Sequence, residues 1–177
     1  MSDAGVEVQS PVRRTYWIVF VVALGVVVLD QLTKFWAQQV LLPRILAGEG
    51  PIEVLGSVLR FTYAENTGAA FSLGTGYTWV FTIIALVVVV VVIRMSRRLG
   101  SVAWALAMGG LLGGAVGNLI DRLFRAPGVG RGFVVDFIQV PYWPIFNIAD
   151  SFVVCSAIAM VILSWRGVPL GGASPRA

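Results

Sequence analysis

Asp30, Asp121, Asp136 and Asp150 are the residues of this chain best suited to do chemistry. Each stands at the edge of, or inside, an apolar stretch, in company with the amides of Asn66, Asn118 and Asn147. Two carboxyl groups brought together in a dry site cannot both ionise cheaply, so one holds a proton and the other does not. Such a pair can activate a water between them and protonate a leaving amine. This is the chemistry of aspartic proteases, and it requires no metal and no cofactor. Residue types alone do not choose two acids from the four.

The composition removes the main alternatives. The chain has no histidine, which excludes Ser-His and Cys-His nucleophiles and histidine zinc sites. Its one cysteine, Cys155, lies inside an apolar run and reads as a small apolar residue, with no disulfide partner. A Ser-Lys peptidase built on Lys34 lacks a serine with an obvious place beside it, and no GxGD sequence of the presenilin type occurs. The net charge of +4 does not point to nucleic acid. The basic residues sit at the ends of apolar runs, where orientation in a membrane explains them.

Helical spacing sorts the polar residues into faces. Asn118 and Arg122 are i,i+4, and Asn147 and Asp150 are i,i+3, so each pair shares a face. Asp30 and Lys34 are i,i+4 with the acid first, which suits an ion pair at a helix end. Asn147 or Asp150 could cap a helix. Asp136 has no such local reason. It sits in Phe133-Val-Val-Asp-Phe-Ile138, so a group distant in sequence must satisfy it.

The elements that position these residues are four apolar runs. The chain is 58% hydrophobic and 12% charged, about half the charge of a soluble domain, so its surface must face lipid. About 20 apolar residues cross a bilayer as a helix. The runs are Tyr16 to Trp36, Tyr77 to Ile93 with a start as early as Ala69, Val102 to Ile120, and Ile145 to Trp165. The candidate acids then gather at one depth: Asp30 closes the first run, Asn118 and Asp121 close the third, and Asn147 and Asp150 open the fourth. An even number of spans puts both termini on one side. Arg94, Arg97 and Arg98 in one short loop mark that side as cytoplasmic. The first run is too long for a cleaved signal and ends in Asp30-Gln-Leu-Thr-Lys34, with no small-residue cleavage site, so it anchors.

The third run carries Gly109, Gly113 and Gly117 at intervals of four, beside Gly110 and Gly114. Such a stripe lets helix backbones approach closely, and here it leads to Asn118, Asp121 and Arg122. Between the first two spans, Ile52/Val54 and Leu59/Phe61/Tyr63 alternate around Gly56-Ser57, which predicts a short β-hairpin or small sheet. From Arg122 to Pro144, Gly128, Gly130 and Gly132 predict a flexible middle. Phe133, Phe137, Tyr142 and Trp143 suit a membrane interface. The organisation expected is a four-helix membrane domain over residues 13–166, with disordered cytoplasmic tails at 1–12 and 167–177.

Five stretches together resemble the lipoprotein signal peptidase family, signal peptidase II. They are Asp30-Gln-Leu-Thr-Lys34, Asn66-Thr-Gly-Ala-Ala-Phe71, Gly113-Gly-Ala-Val-Gly-Asn-Leu-Ile-Asp-Arg122, Val134-Val-Asp-Phe137 and Phe146-Asn-Ile-Ala-Asp150. They run in order from the first span to the last, with no departure at a motif position. The resemblance implies that Asp136 and Asp150 form the catalytic dyad. It makes Asp121 a supporting residue and places Asp30, Lys34, Asn66, Gly68, Asn118, Arg122, Asn147 and Ala149 in or around the site. It further implies a peptidase of the bacterial inner membrane; nothing in the sequence demands more than a monomer, and the carboxylate chemistry requires no metal or cofactor. The family removes the signal peptide of a prolipoprotein just before a cysteine bearing diacylglycerol, and the cyclic peptide globomycin inhibits it.

Two readings from other classes compete. A small four-helix transporter would also use buried carboxylates, but these lie at one end of the helices and not at the midplane, and no broken helix or duplicated half appears. A structural subunit, in which the polar motifs only join helices, would tolerate Asp136→Asn.

Overall fold

A computed structural model describes residues 11–68 and 78–171. The remaining tail residues and the Ala69–Phe71 end of the second motif lie outside the described residues, as does the early start of the second span.

Among the described residues, four helices are long and apolar enough to cross a membrane, as the composition predicts. Helix α1, Pro11–Trp36, does not stop at Trp36. It passes through a π-helical turn, Ala37–Leu41, into α2, Leu42–Leu46. Pro43 does not break the path, because it falls in the first turn of α2, where a missing N–H costs nothing. Asp30 is therefore well inside a continuous helical rod and not at its end. The rod stops near Gly48 and Gly50, both at φ +75°.

Helix α3, Thr78–Ser96, is apolar nearly all round, with Ile83, Ile84, Val87, Val90 and Val91 exposed, as suits lipid on most sides. Helix α4, Val102–Phe124, is the buried centre, and α5, Ile148–Trp165, follows the second external segment. Helices α1, α3 and α5 all pack on α4. The glycines explain how. A Cβ on Gly113 would lie 2.6 Å from Val26 Cβ and 2.8 Å from the Ala23 carbonyl, and Gly109 meets α1 in the same way one turn away. Gly110 and Gly114 face α5, where a Cβ on Gly114 would meet the Ala149 carbonyl. The single stripe of the sequence is thus two adjacent stripes serving two partners.

The predicted hairpin is present but is two strands of a three-stranded antiparallel sheet. Strand β1, Ile52–Glu53, pairs with β2, Arg60–Asn66, in the register Ile52 to Phe61. Strand β2 then pairs with β3, Val134–Gln139, which puts Ala64 opposite Asp136. The strand β3 arises just after the glycine-rich stretch expected to be flexible, in a segment for which no strand was expected. Its sequence, VVDFIQ, is too short and too continuously apolar to show a period, and its partner lies far away in the chain. Nor is the last of the three glycines loose. Gly132 lies under the end of α4, where an added Cβ would strike the carbonyls of Asp121, Arg122 and Arg125, and its N–H donates to the Arg122 carbonyl at 3.0 Å.

The sheet has its own core. Phe137 and Val135 are buried with Ala37 and Leu41, and Trp36 stands edge-on to Phe61 and Phe137 at 5.5 and 6.1 Å between centroids. Of the four aromatic residues expected at an interface, only Tyr142 and Trp143 are exposed, while Phe137 is consumed by this core. Residues 167–171, expected to be loose, dock instead. Trp104 donates its indole N–H to the Val168 carbonyl at 2.8 Å, and the Leu170 carbonyl accepts from Gly100 and Ser101.

Candidate active site

Asp136 enters the bundle from β3 and is 2% exposed. Its two oxygens are held by two amides. Asn66, the last residue of β2, donates Nδ2 to Oδ2 at 2.8 Å, and Asn147 donates Nδ2 to Oδ1 at 2.6 Å. The partners that the sequence left unidentified are thus one strand away and one helix cap away. Asn66 is itself fixed, because its Oδ1 accepts the Gly68 N–H at 2.8 Å. Gly68 has φ +110°, and a Cβ there would lie 2.6 Å from the Phe81 ring, so both conformation and space require glycine.

Asn147 is the N-cap of α5, and Asp150 occupies the third helical position. Asn147 Oδ1 accepts the Asp150 N–H at 2.9 Å, while Asp150 Oδ2 accepts the Asn147 N–H at 3.2 Å. The two candidate cap residues are the two halves of one reciprocal capping box. The other oxygen of Asp150, Oδ1, accepts from Asn118 Nδ2 at 2.7 Å. Asp150 also lies at a helix N-terminus, whose dipole favours negative charge. Burial and the nearby negative charge of Asp150 push the Asp136 carboxyl up to about 7, against the opposing pull of the Asn66 and Asn147 bonds and of Lys34.

Asp30 and Asp121 belong to a second, adjoining cluster. Lys34 is fully buried, with Nζ at 2.9 Å from both Asp30 Oδ2 and Asp121 Oδ2. The ion pair read from the spacing of Asp30 and Lys34 is real, but it is a buried three-membered group and not a pair at a helix end. Asp30 Oδ1 also accepts the Ala149 N–H at 2.9 Å, which ties α1 to the first turn of α5. Asp121 accepts from Arg125 Nε at 2.7 Å and from the Val135 N–H at 3.2 Å. Both acids are thus held by cationic and backbone donors, with the Gln31 amide besides, whereas Asp136 and Asp150 have no cationic donor among the described residues and are held by side-chain amides and by one cap N–H. The clusters join at Asn118, whose Oδ1 accepts from Lys34 at 2.9 Å and from Asn147 at 3.2 Å. That pattern fixes the amide orientation and aims its N–H group at Asp150.

Two participants escaped sequence reasoning. Gln31 donates to Asp30, to Asp121 and to the Gly117 carbonyl. Its only signal is adjacency to Asp30. Arg125 has the same i,i+4 relation to Asp121 that Lys34 has to Asp30, which was available as a signal. Arg122 lies over the Phe81 ring, 5.5 Å from its centroid. Arg122, Asn118 and Asp150 form the polar end of a cavity of about 300 Å³. The rest of its wall is apolar, from Ile84, Ala85 and Val88 of α3 to Leu111 and Ala115 of α4 and Val153 of α5. Among the described residues, no cluster of acids and cysteine could hold a metal ion.

Every site residue that the sequence singled out is therefore brought to one region, where three helices and the sheet meet. Known proteins share this chain's sequence and architecture. The sequence profile of signal peptidase (SPase) II matches residues 22–166. A lipoprotein signal peptidase of Mycobacterium tuberculosis (strain ATCC 25618 / H37Rv) is 52% identical over 158 residues, which cover 89% of this chain and 75% of that protein. One from Streptomyces coelicolor is 48% identical over 160 residues, covering 90% of this chain and 76% of that protein. A bacterial membrane enzyme solved by the in meso method at 2.3 Å superposes with a TM-score of 0.69 at 27% identity, over 90% of this chain and 94% of its own. A second, at 1.9 Å, gives 0.66 at 29% identity, over 82% and 91%. The chain belongs to the signal peptidase II family.

Proposed function

We propose that this chain is an aspartyl endopeptidase that removes the signal peptide from diacylglyceryl-modified prolipoproteins, cleaving before the lipidated cysteine, with Asp136 and Asp150 as its catalytic pair. The observation that carries the assignment is Asn147, which binds both carboxylic residues at once while burial and Asp150 hold a proton on Asp136 near neutral pH.

The chemistry follows from that asymmetry. Asp150, at the start of α5, acts as the base and takes a proton from water as the water oxygen bonds to the scissile carbonyl carbon. Asp136 gives its proton to the carbonyl oxygen, forming a neutral tetrahedral diol. As the diol collapses, the C–N bond breaks, the amine takes the proton from Asp150, and a diol hydroxyl returns one to Asp136. Asn66, Asn118 and Asn147 keep both carboxyls aimed throughout. Arg122, in the wall of the cavity, can donate to a substrate carbonyl. The cavity lies between α3 and α5, each of which rests on α4, and its apolar wall suits the end of a signal helix or an acyl chain arriving from lipid.

The same reading sets the protein in a bacterial inner membrane, as a monomer, with both termini cytoplasmic and the site near the outer face. In support, the carboxyl cluster and the sheet lie at the opposite end of α3 and α4 from Arg94, Arg97 and Arg98. Globomycin, as the family resemblance implies, would occupy the site. The test is cleavage of a diacylglyceryl-modified prolipoprotein by the purified protein in lipid, beside Asp136→Asn and Asp150→Asn. Cleavage by the parent and its loss in both folded variants is the expected result. Cleavage that survives in either would return the role to Asp30 or Asp121.

A further inference from the structure

Away from the peptidase site, α3 ends in a cationic concavity with no role in the reaction. Arg94, Arg97 and Arg98 enclose about 490 Å³ together with Val91 and Met95. The three arginines are exposed, and among the described residues none forms an ion pair or a side-chain hydrogen bond. Their spacing, i, i+3 and i+4, keeps them on one face. The turn beyond the helix stays closed, since the Arg98 N–H donates to the Met95 carbonyl at 3.0 Å.

The same face continues along the helix as Ile83, Val87, Val90 and Arg94, at steps of four, three and four residues. Its apolar members are all exposed. Helix α3 has 19 residues, so at about 1.5 Å per residue it matches the roughly 30 Å of a hydrocarbon core. The guanidinium groups therefore stand at the depth of lipid phosphates, directly above an apolar track for an acyl chain. Arginine forks bind phosphate in a bidentate manner, and no acid among the described residues pairs with these three.

We infer that the end of α3 is a binding site for an anionic phospholipid, whose phosphodiester is held by Arg94, Arg97 and Arg98 and whose acyl chain lies along Ile83, Val87 and Val90. A role in topology alone would need these charges only during insertion and would leave the finished protein indifferent to lipid charge.

The experiment is native mass spectrometry of the full-length protein, loaded with equimolar phosphatidylglycerol and phosphatidylcholine and then delipidated stepwise. The parent is expected to retain phosphatidylglycerol over phosphatidylcholine by roughly tenfold or more, given three basic side chains at an anionic surface. The Arg94→Gln/Arg97→Gln/Arg98→Gln variant is expected to retain both equally. Equal retention by the parent, or undiminished preference in the variant, would overturn the proposal. The parent alone supplies a second test that does not depend on folding of the variant. Phosphatidylglycerol should raise its thermal midpoint over phosphatidylcholine at low salt, and about 1 M salt should abolish the difference. A difference that ignores salt, or none at low salt, would count against the site.

Discussion

Asn147 donates a 2.6 Å hydrogen bond to Asp136 while its side-chain oxygen accepts the backbone N–H of Asp150. One amide therefore performs two tasks. It caps α5, and it fixes a strand carboxyl against the helix that carries the other. Asn147→Ala removes both. Loss of an N-cap costs about 1 kcal/mol of stability, whereas losing the link between the carboxyls should lower kcat/KM by a hundredfold or more. Asn147→Ser separates the two, because serine can cap but is too short to reach Asp136. A serine variant with restored thermal midpoint and parental cleavage would show that capping alone matters.

The Asp136 carboxyl is pushed up to about 7, from burial first and from Asp150 second. In the unfolded chain it titrates near 4. Between pH 4 and 7 the folded state binds more protons than the unfolded one, so this group makes stability fall as pH rises through that window, by a total on the order of 4 kcal/mol, and flatten above it. Below pH 4 both states are protonated and the effect is absent. The thermal midpoint of Asp136→Asn minus that of the parent should thus rise from pH 4 to 7 and then level off. A pH-independent difference would contradict the raised value. For the parent enzyme, kcat/KM should decline on the alkaline side with an apparent pKa near 7, a value that belongs to the coupled pair.

The helical spans and the neighbourhood of the site were legible, because apolar length, motif order and i,i+3 or i,i+4 spacing are local properties. The hairpin at Gly56 was legible for the same reason. Strand β3 was not, since pairing between Ala64 and Asp136 depends on contacts between residues about 70 apart in the chain, and VVDF carries no periodic signal. Asn66, one of the two partners of Asp136, was hidden for that reason. Once β3 is laid on β2, Asn66 falls two residues beyond Ala64, the residue opposite Asp136, and so on the same face of the sheet. The end of α1 at Trp36 was legible, but its continuation through Ala37–Leu41 into α2 was not, because the residues that follow Trp36 pack under the sheet, where Ala37 and Leu41 are buried. Tertiary burial, and not hydropathy, carries the helix onward.

Lys34 is the single cation between Asp30 and Asp121, at 2.9 Å from each, with no exposure to water. Lys34→Met would leave two buried carboxylates facing each other, and breaking a buried pair by removing one partner costs about 3–5 kcal/mol. The variant should show a large fall in thermal midpoint and lose cleavage, because the Asn118 amide also loses the donor that orients it. Adding Asp30→Asn should recover part of the stability, since it removes one of the stranded charges. A double variant that is additive, or worse than the sum of its parts, would place the cost in packing and not in charge.

The cavity between α3 and α5 gives the remaining prediction. Its polar end contains Asp150 and Arg122, and its apolar end is walled partly by Ala85 of α3. Helix α3 is far less buried than the central helix α4, so a larger side chain at Ala85 can be accommodated by a small outward shift. Ala85→Phe should then fill the space without a large effect on the thermal midpoint. If the cavity admits the substrate's signal helix or acyl chain, the variant should lower kcat/KM for a diacylglyceryl-modified prolipoprotein by about tenfold or more, mainly through KM. Ala85→Leu should fall between, because it occupies less of the roughly 300 Å³. Unchanged kinetics in a folded Ala85→Phe variant would mean that substrate reaches the carboxyl pair by another route, from above the sheet and not from between these helices.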